Sequence, residues 1–317
     1  SGTTSVTAFA SLAIYDAQTL SLTADIAGSF TLEVLKGTLM AMDERLMAVR
    51  PHPDQINTAA NIRAILKDSP MLERYRGHRV QDALSIRCMP QLHGPVKKAV
   101  KDAQATLAIE LNSSVDNPLI FDEEDGGAVA LMGCNADGTY AGMASDSLCI
   151  AITDLCKMSN SRIDRLLNSL VSELPAFLNK NADFNNGLMM IQYASAGLQG
   201  ELRILAHPAV VDNLTTCANQ EDYVNMGYNA VKKAYDSMHL AKYILAAELI
   251  CDGQALDCYE DKRCAKGTQA IYDLLRSKVP EMDNDMPLTP YLEAVAQQII
   301  DRAYIRTVEA SVGALKF

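Results

Sequence analysis

The sequence predicts an all-α protein built as a bundle of long helices, and three observations support this fold class. Residues 5–36 contain no proline and one glycine, and their apolar residues recur every three or four positions, as on a helix. Residues 141–174, 188–205, 221–254 and 289–312 repeat this pattern. Helices of roughly 25–35 residues cannot be buried in a small globule, so we expect them to pack lengthwise against each other and against other subunits.

The remaining segments are shorter or irregular. Residues 58–66 and 97–111 predict short helices with a loop at 69–80 between them, and a polar run at 112–118 ends the second. Residues 119–138 predict strands or irregular structure, because an acidic turn at 122–127 separates two short apolar runs.

Two helices carry further expectations. Residues 188–205 are apolar on nearly every side, which predicts a helix buried all round. The acids of residues 219–223 suit a helix N-terminus, so they are predicted to open the next helix. We find no repeat and no linker, and we therefore expect residues 1–317 to form a single helical domain.

Composition excludes several function classes. The chain has 28 Lys and Arg against 39 Asp and Glu, a net charge of −11, which disfavours nucleic-acid binding. No apolar stretch is long enough to span a membrane, so we expect a soluble, cytoplasmic protein. The eight cysteines stand singly and the five histidines form no metal-ligand pair, which predicts reduced, mostly buried thiols and no metal site.

The segment QDALSIRCMPQLHG at residues 81–94 concentrates polar side chains. Arg87 could hold a substrate carboxylate through its two-pronged donors, although a surface salt bridge is the commoner role of such an arginine. His93 taken alone suits a core or capping position better than catalysis.

Glu201 lies near the end of the apolar helix at 188–205. A carboxylate buried there either pairs with a cation or acts as a general acid or base. An ion pair between Glu201 and Arg203 is as good an explanation as a catalytic role.

These motifs together resemble the histidine and aromatic amino-acid ammonia-lyase family. Residues 81–94 are similar to that family's Q-D-x-Y-S-x-R-C-x-P-Q-x-x-G signature. Further similar blocks follow in the family's order: ELNSSVDNPL at 110–119, NGLMMIQ at 186–192, LAHP at 205–208, TCANQED at 216–222 and QALD at 254–257.

The resemblance implies a fold of the ammonia-lyase/fumarase type, whose helices form the core of a tetramer with active sites drawn from three subunits. It implies elimination of ammonia from an amino acid to leave an α,β-unsaturated acid. Arg87 would bind the substrate carboxylate, Gln81 would hydrogen-bond near the electrophile, and Glu201 would face the amino group or side chain. The expected substrate-binding set is completed by Leu84, Asn135, Ala136, Asp137 and Gln220.

The chain also departs from the family pattern. It contains no Ala-Ser-Gly, the source of the family's methylidene-imidazolone, so that electrophile would come from an N-terminal part absent from this chain. Ser1 stands where the family has a catalytic Asn, and a freed N-terminal Ser could act as a nucleophile with its own amine as base. Leu84 replaces the family's Tyr, and CNADG at 134–138 replaces G-N-F-H-G.

The sequence therefore favours a C–N lyase acting on a histidine-like or aromatic amino acid, or on a betaine derivative. A quaternary amine could leave without the ring, and Asp137 and Glu201 would favour its positive charge. Besides this small-molecule substrate, the expected partners are identical subunits of a tetramer and a separate or cleaved N-terminal companion. The alternative is a non-catalytic scaffold or regulatory subunit of an ammonia-lyase complex.

Overall fold

Long helices dominate the computed structural model of the protein, which describes residues 2–181 and 184–317, so the all-α prediction is confirmed. The α-helices of these residues are α1 (Thr3–Val34), α2 (Glu44–Ala48), α3 (Pro53–Ile65), α4 (Pro70–Arg74), α5 (Leu84–Arg87), α6 (Met89–Glu110), α7 (Thr139–Leu167), α8 (Ser169–Ser172), α9 (Met189–Leu205), α10 (Gly227–Asp257), α11 (Lys266–Arg276), α12 (Thr289–Ile300) and α13 (Ala303–Val312).

Two small antiparallel hairpins and three short 3-10 helices, at Leu39–Met42, Ala176–Leu178 and Cys217–Asn219, complete the regular structure of the described residues. The first hairpin pairs β1 (Leu119–Asp122) with β2 (Ala128–Leu131), and it confirms the predicted strands around an acidic turn. The second pairs β3 (Leu214–Thr216) with β4 (Glu221–Val224) just before α10.

Helices α1, α7 and α10 run parallel to one another through the centre of the molecule. Their N-termini meet, because Gly138 packs against Val6 and a Cβ on Gly227 would lie 2.7 Å from the Gly138 carbonyl oxygen. Near their other ends, the Thr31 hydroxyl lies 2.9 Å from a Glu248 carboxylate oxygen. The close approach of α7 and α10 therefore requires glycine at their start.

Helix α6 runs in the opposite direction to α1. His93 Nδ1 lies 2.8 Å from the Asp25 carboxylate, and Lys97, one turn further along α6, donates to the same carboxylate. All three side chains are fully buried. Burial disfavours the Asp25 charge, but Lys97 and His93 outweigh it and hold the Asp25 pKa below its usual value. His93 is therefore a core histidine, as expected.

Helix α9 lies antiparallel to α7 and packs against both α7 and α10. The Gln199 amide donates to the Thr153 carbonyl, and the Asn160 amide donates to the Ser195 carbonyl. These two bonds add to the burial of Ile191 and Leu202 in holding α9 against the bundle.

Several predictions about the helices are wrong. The predicted loop at 69–80 contains helix α4, Pro70–Arg74. Helix α9 is not buried all round: only Ile191, Ser195, Gln199 and Leu202 are buried, while Tyr193 is 69% exposed. Residues 219–223 do not open a helix, because they belong to the hairpin that precedes α10. The predicted helix at 289–312 is broken at Arg302, whose φ of 58° begins α13 separately from α12.

Candidate functional site

The segment that carries Gln81, Leu84 and Arg87 is anchored to the bundle by Asp82. One Asp82 carboxylate oxygen accepts a hydrogen bond of 2.8 Å from the backbone N–H of Thr38. Burial raises the pKa of Asp82, and the Thr38 N–H together with the charges of Arg79 and Arg165 offsets this only in part. With Asp82 directed inward, Gln81 is exposed and Leu84 is 61% exposed.

Arg87 is half-buried at the end of α5 and forms no ion pair within the described residues. Its Nε atom is buried and has no hydrogen-bond partner there. A buried donor without a partner costs about 1–3 kcal/mol, so this guanidinium is poorly satisfied by its own chain. The surface salt bridge considered for Arg87 is not found among the described residues, and its terminal nitrogens are available to an anionic group from outside.

Residues 135–137 form the turn that leads into α7. The Asn135 amide donates to the Ser114 carbonyl over 3.3 Å, and the Asp137 carboxylate accepts from the backbone N–H of Thr139 at 2.8 Å. Ala136 is half-buried. Asn135 is exposed, so its amide is accessible from outside the chain. One carboxylate oxygen of Asp137, in contrast, accepts a backbone hydrogen bond at the start of α7.

Gln220 lies exposed in the tight connection between β3 and β4. The three residues before it, Cys217, Ala218 and Asn219, all have positive φ angles of 48°, 50° and 70°. Such a run of left-handed non-glycine residues is costly and is found mostly where function constrains the backbone.

Glu201 is exposed on α9 and forms no ion pair within the described residues, so neither its expected burial nor its pairing with Arg203 is found. It lines an open groove of about 420 Å³ between α9 and α10. The other lining residues are Ile204, Leu205, Asp236, His239 and Leu240.

His239 and Asp236 were missed by the sequence reasoning. They lie on α10, far from Glu201 in sequence, and only the packing of α9 on α10 brings them to one groove. Partial burial and Lys242 lower the pKa of His239, while Asp236 and Asp16 act in the opposite direction. The groove therefore combines two carboxylates and a largely neutral imidazole with apolar walls.

The predicted site residues do not converge within this chain. Asn135, Asp137 and the Gln220 hairpin lie at the end where α1, α7 and α10 begin. Arg87 lies near Met89, which packs on Gly28 of α1. The 25 residues from Thr3 to Gly28 correspond to about 37 Å of helix, so these two groups are far apart. Ser1 lies outside the described residues.

Other site classes find little support in the described residues. No group of three or more His, Cys, Asp or Glu side chains there could hold a metal ion. No helix in the described ranges combines the length and apolar character that crossing a membrane requires. All eight cysteines are unpaired, but the expectation that most are buried is wrong, since three are buried, three half-buried and two, Cys134 and Cys217, exposed.

Comparison with known proteins identifies relatives along the whole chain. The sequence profile of the family described as aromatic amino acid lyase matches residues 1–277. Histidine ammonia-lyase 2 of Fusobacterium nucleatum is 40% identical over 316 residues, which are 99% of this chain and 61% of that protein. Histidine ammonia-lyase of Alkaliphilus oremlandii is 39% identical over 311 residues, 98% of this chain and 61% of that protein. The chain thus spans about three fifths of these relatives' length.

Solved structures agree with the sequence relatives. Histidine ammonia-lyase from Trypanosoma cruzi has a TM-score of 0.88 at 32% identity, covering 97% of this chain and 58% of that one. Tyrosine aminomutase from Streptomyces globisporus has a TM-score of 0.90 at 27% identity, covering 98% and 63%. The resemblance seen in the sequence motifs is confirmed, and the chain belongs to the aromatic amino acid lyase family.

Proposed function

We propose that this chain is part of a C–N lyase that eliminates ammonia or an amine from a histidine-like or aromatic amino acid, or from a betaine derivative. The observation that carries the proposal is Arg87, a half-buried arginine whose Nε has no partner in the described chain. A substrate carboxylate would bind the terminal nitrogens of this guanidinium through charge-assisted hydrogen bonds, which leaves the buried Nε–H for a partner within the chain. The 40% identity to a histidine ammonia-lyase over 99% of the chain supports the reaction type.

The elimination breaks two bonds and forms one. A base removes the proton on the β-carbon, the electrons of that C–H bond form the C=C bond, and the C–N bond breaks with its pair leaving on nitrogen. Arg87 would hold the carboxylate, and Glu201 would attract the positively charged amine or hold a proton near it. Asn135, Asp137, Ala136, Leu84 and Gln220 would line the substrate.

A methylidene-imidazolone would supply the electrophile that makes the amine a better leaving group. No residue of this chain is its source, because the chain contains no Ala-Ser-Gly. Gln81 is exposed, so its side-chain amide is accessible to such a ring. Gln81 would orient the electrophile by donating or accepting a hydrogen bond there.

The active site would be completed by other polypeptide segments, including further copies of this chain. Its own candidate residues are distributed over about 37 Å of the bundle, which no small substrate can bridge. Helix α9 also directs Met190, Tyr193 and Ile204 outward together with Glu201, as expected of a contact between subunits. A homotetramer and a companion chain are both compatible with this arrangement. We place the protein in the cytoplasm, since its cysteines are all unpaired.

The direct test is to purify the protein with its natural partners, identify them by mass spectrometry, and assay the assembly. L-histidine, L-phenylalanine, L-tyrosine and N-trimethylated L-histidine are offered as substrates, and the conjugated acid is followed by ultraviolet absorbance. We expect one of them to be eliminated. Arg87→Ala should raise KM at least about tenfold, because it removes the carboxylate's charged partner. Glu201→Gln should lower kcat about 100-fold.

Two exposed residues provide controls. Arg45→Ala removes an arginine whose partner is the neighbouring Asp43, and Glu124→Gln alters a carboxylate in the β1–β2 turn. Both should leave KM and kcat unchanged. A folded natural assembly that eliminates none of the four substrates would favour the scaffold alternative, and unchanged kinetics in both site variants would refute the roles of Arg87 and Glu201.

A further inference from the structure

Arg87 is one of two neighbouring residues with an unsatisfied buried atom. The Gln91 side-chain oxygen, Oε1, is also buried without a hydrogen-bond partner among the described residues. The two atoms are complementary, since Arg87 Nε carries a proton to donate and Gln91 Oε1 only accepts.

The spacing of these residues along the chain favours contact between their side chains. Gln91 follows Arg87 by four residues, close to one helical turn, although α5 ends and α6 begins at Cys88. The two side chains form no hydrogen bond in this structure. Each oxygen or nitrogen buried without a partner is unfavourable, so a side-chain rotation that joins them would be stabilising.

A guanidinium that is held at Nε presents a defined edge to a ligand. With the Nε–H occupied, the two terminal nitrogens, Nη1 and Nη2, remain as a parallel pair of donors. That pair matches the two oxygens of a carboxylate, and fixing its direction lowers the entropy lost on binding.

We propose that Gln91 is a positioning residue for Arg87. When a substrate carboxylate binds, the Gln91 Oε1 accepts the Arg87 Nε–H and directs both Nη donors at the carboxylate. The inference rests on the proposed function, because it assumes that Arg87 binds a carboxylate. In this role Gln91 acts on the substrate only through Arg87.

The test measures carboxylate binding separately from catalysis, in the complete natural assembly. Imidazolepropanoate has the carboxylate but no amine to lose, and propylimidazole lacks both groups, so calorimetric titration with each isolates the carboxylate contact. Gln91→Met keeps the length of the side chain and removes the strong acceptor. We expect it to weaken imidazolepropanoate binding about tenfold and to leave propylimidazole binding unchanged.

A second variant excludes a merely structural role. Lysine has no guanidinium Nε, so in an Arg87→Lys background the Gln91→Met change should cause no further loss of imidazolepropanoate binding. The matched control is Gln297→Met, which makes the same substitution at an exposed position of α12. It should bind both probes like the wild type.

The inference is overturned if Gln91→Met and wild type have the same affinity for imidazolepropanoate, including no binding by either. Equal weakening of both probes, or additive losses in the Arg87→Lys background, would also overturn it. The substrate assay tests the proposed function separately from this binding titration. An assembly that binds imidazolepropanoate through Arg87 and Gln91 but eliminates no amino acid contradicts the proposed function and leaves the inference about Gln91 intact.

Discussion

Asp252 is a carboxylic acid at the centre of the bundle, and its hydrogen bonds determine where its proton lies. The Thr31 hydroxyl lies 2.7 Å from Asp252 Oδ1 and 2.9 Å from Glu248 Oε1, but it has only one proton to donate. Glu248 is charged, because the fully buried Arg162 pairs with it. Asp252 must therefore donate its own proton to Thr31, and burial together with Glu248 raises its pKa well above the ordinary value.

This assignment predicts opposite outcomes for two isosteric substitutions. Asp252→Asn replaces one neutral donor by another, so below about pH 4, where the unfolded chain also holds the proton, the free energy of unfolding should change by less than about 1 kcal/mol, and at higher pH the variant should be the more stable protein. Glu248→Gln leaves the Arg162 charge buried without a counter-charge and should cost about 3–5 kcal/mol. Urea denaturation followed by circular dichroism measures both. A large loss in the Asp252→Asn variant would show that Asp252 is ionised in the folded protein.

The same proton predicts a dependence on pH. Below the ordinary aspartate pKa of 3.8 both the folded and unfolded chains hold the proton, and the acid's contribution is fully present. As the pH rises toward the raised pKa, the unfolded chain releases a proton that the folded protein keeps, and this contribution is lost. The stability of Asp252→Asn relative to wild type should therefore increase between about pH 5 and about pH 8. A constant difference in urea midpoint over this range would contradict the raised pKa.

At the scale of the elements, the β3–β4 hairpin is the clearest case of local strain. Ala218 adopts φ 50° and ψ 44°, a left-handed conformation in which its Cβ is unfavourable. Ala218→Gly should stabilise this hairpin by about 1 kcal/mol, which hydrogen exchange at the β4 amides would measure as slower exchange. Ala128→Gly, in the exposed strand β2, is the matched control and should be neutral or destabilising. Faster exchange in β4 of the Ala218→Gly variant would show that Ala218 is not strained.

The elements that the sequence predicted well are those whose signal is local. The apolar period of residues 5–36 located α1 within two residues of its ends, and the acidic turn at 122–127 located the first hairpin. The second hairpin was missed because its turn residues, Cys217, Ala218 and Asn219, include no glycine to signal a positive φ. The break at Arg302 was missed for the same reason.

The candidate site was predictable only in part. Motif spacing singled out Arg87, but its unsatisfied Nε depends on which carboxylates the fold places nearby. The apolar pattern of α9 predicts burial, but it does not distinguish burial within the chain from burial against another subunit, because both surfaces have the same composition. Glu201 was therefore expected in the core, and its groove partners Asp236 and His239 follow only from the packing of α9 on α10.

At the scale of the whole molecule, one stripe of α9 remains uncovered by the described chain. Met190, Tyr193, Gly197, Glu201 and Ile204 follow each other at helical spacing, and Tyr193 and Ile204 are 69% and 76% exposed. A Cβ placed on Gly197 or Gly200 would meet no atom within 4 Å, so the stripe is flat and open. Large apolar side chains around small residues are typical of a surface that another polypeptide covers.

The stripe predicts that association of subunits depends on α9. Ile204→Glu would bury a charge in the contact, and it should raise the dissociation constant of the assembly at least about 100-fold. Sedimentation equilibrium measures this, and circular dichroism checks that the monomer stays folded, since the side chain is exposed within the chain. Leu170→Glu is the control: Leu170 is 90% exposed on the short helix α8 and should tolerate the same change. An Ile204→Glu assembly as stable as wild type would show that α9 faces solvent, and Glu201 would then be open to solvent rather than enclosed between subunits.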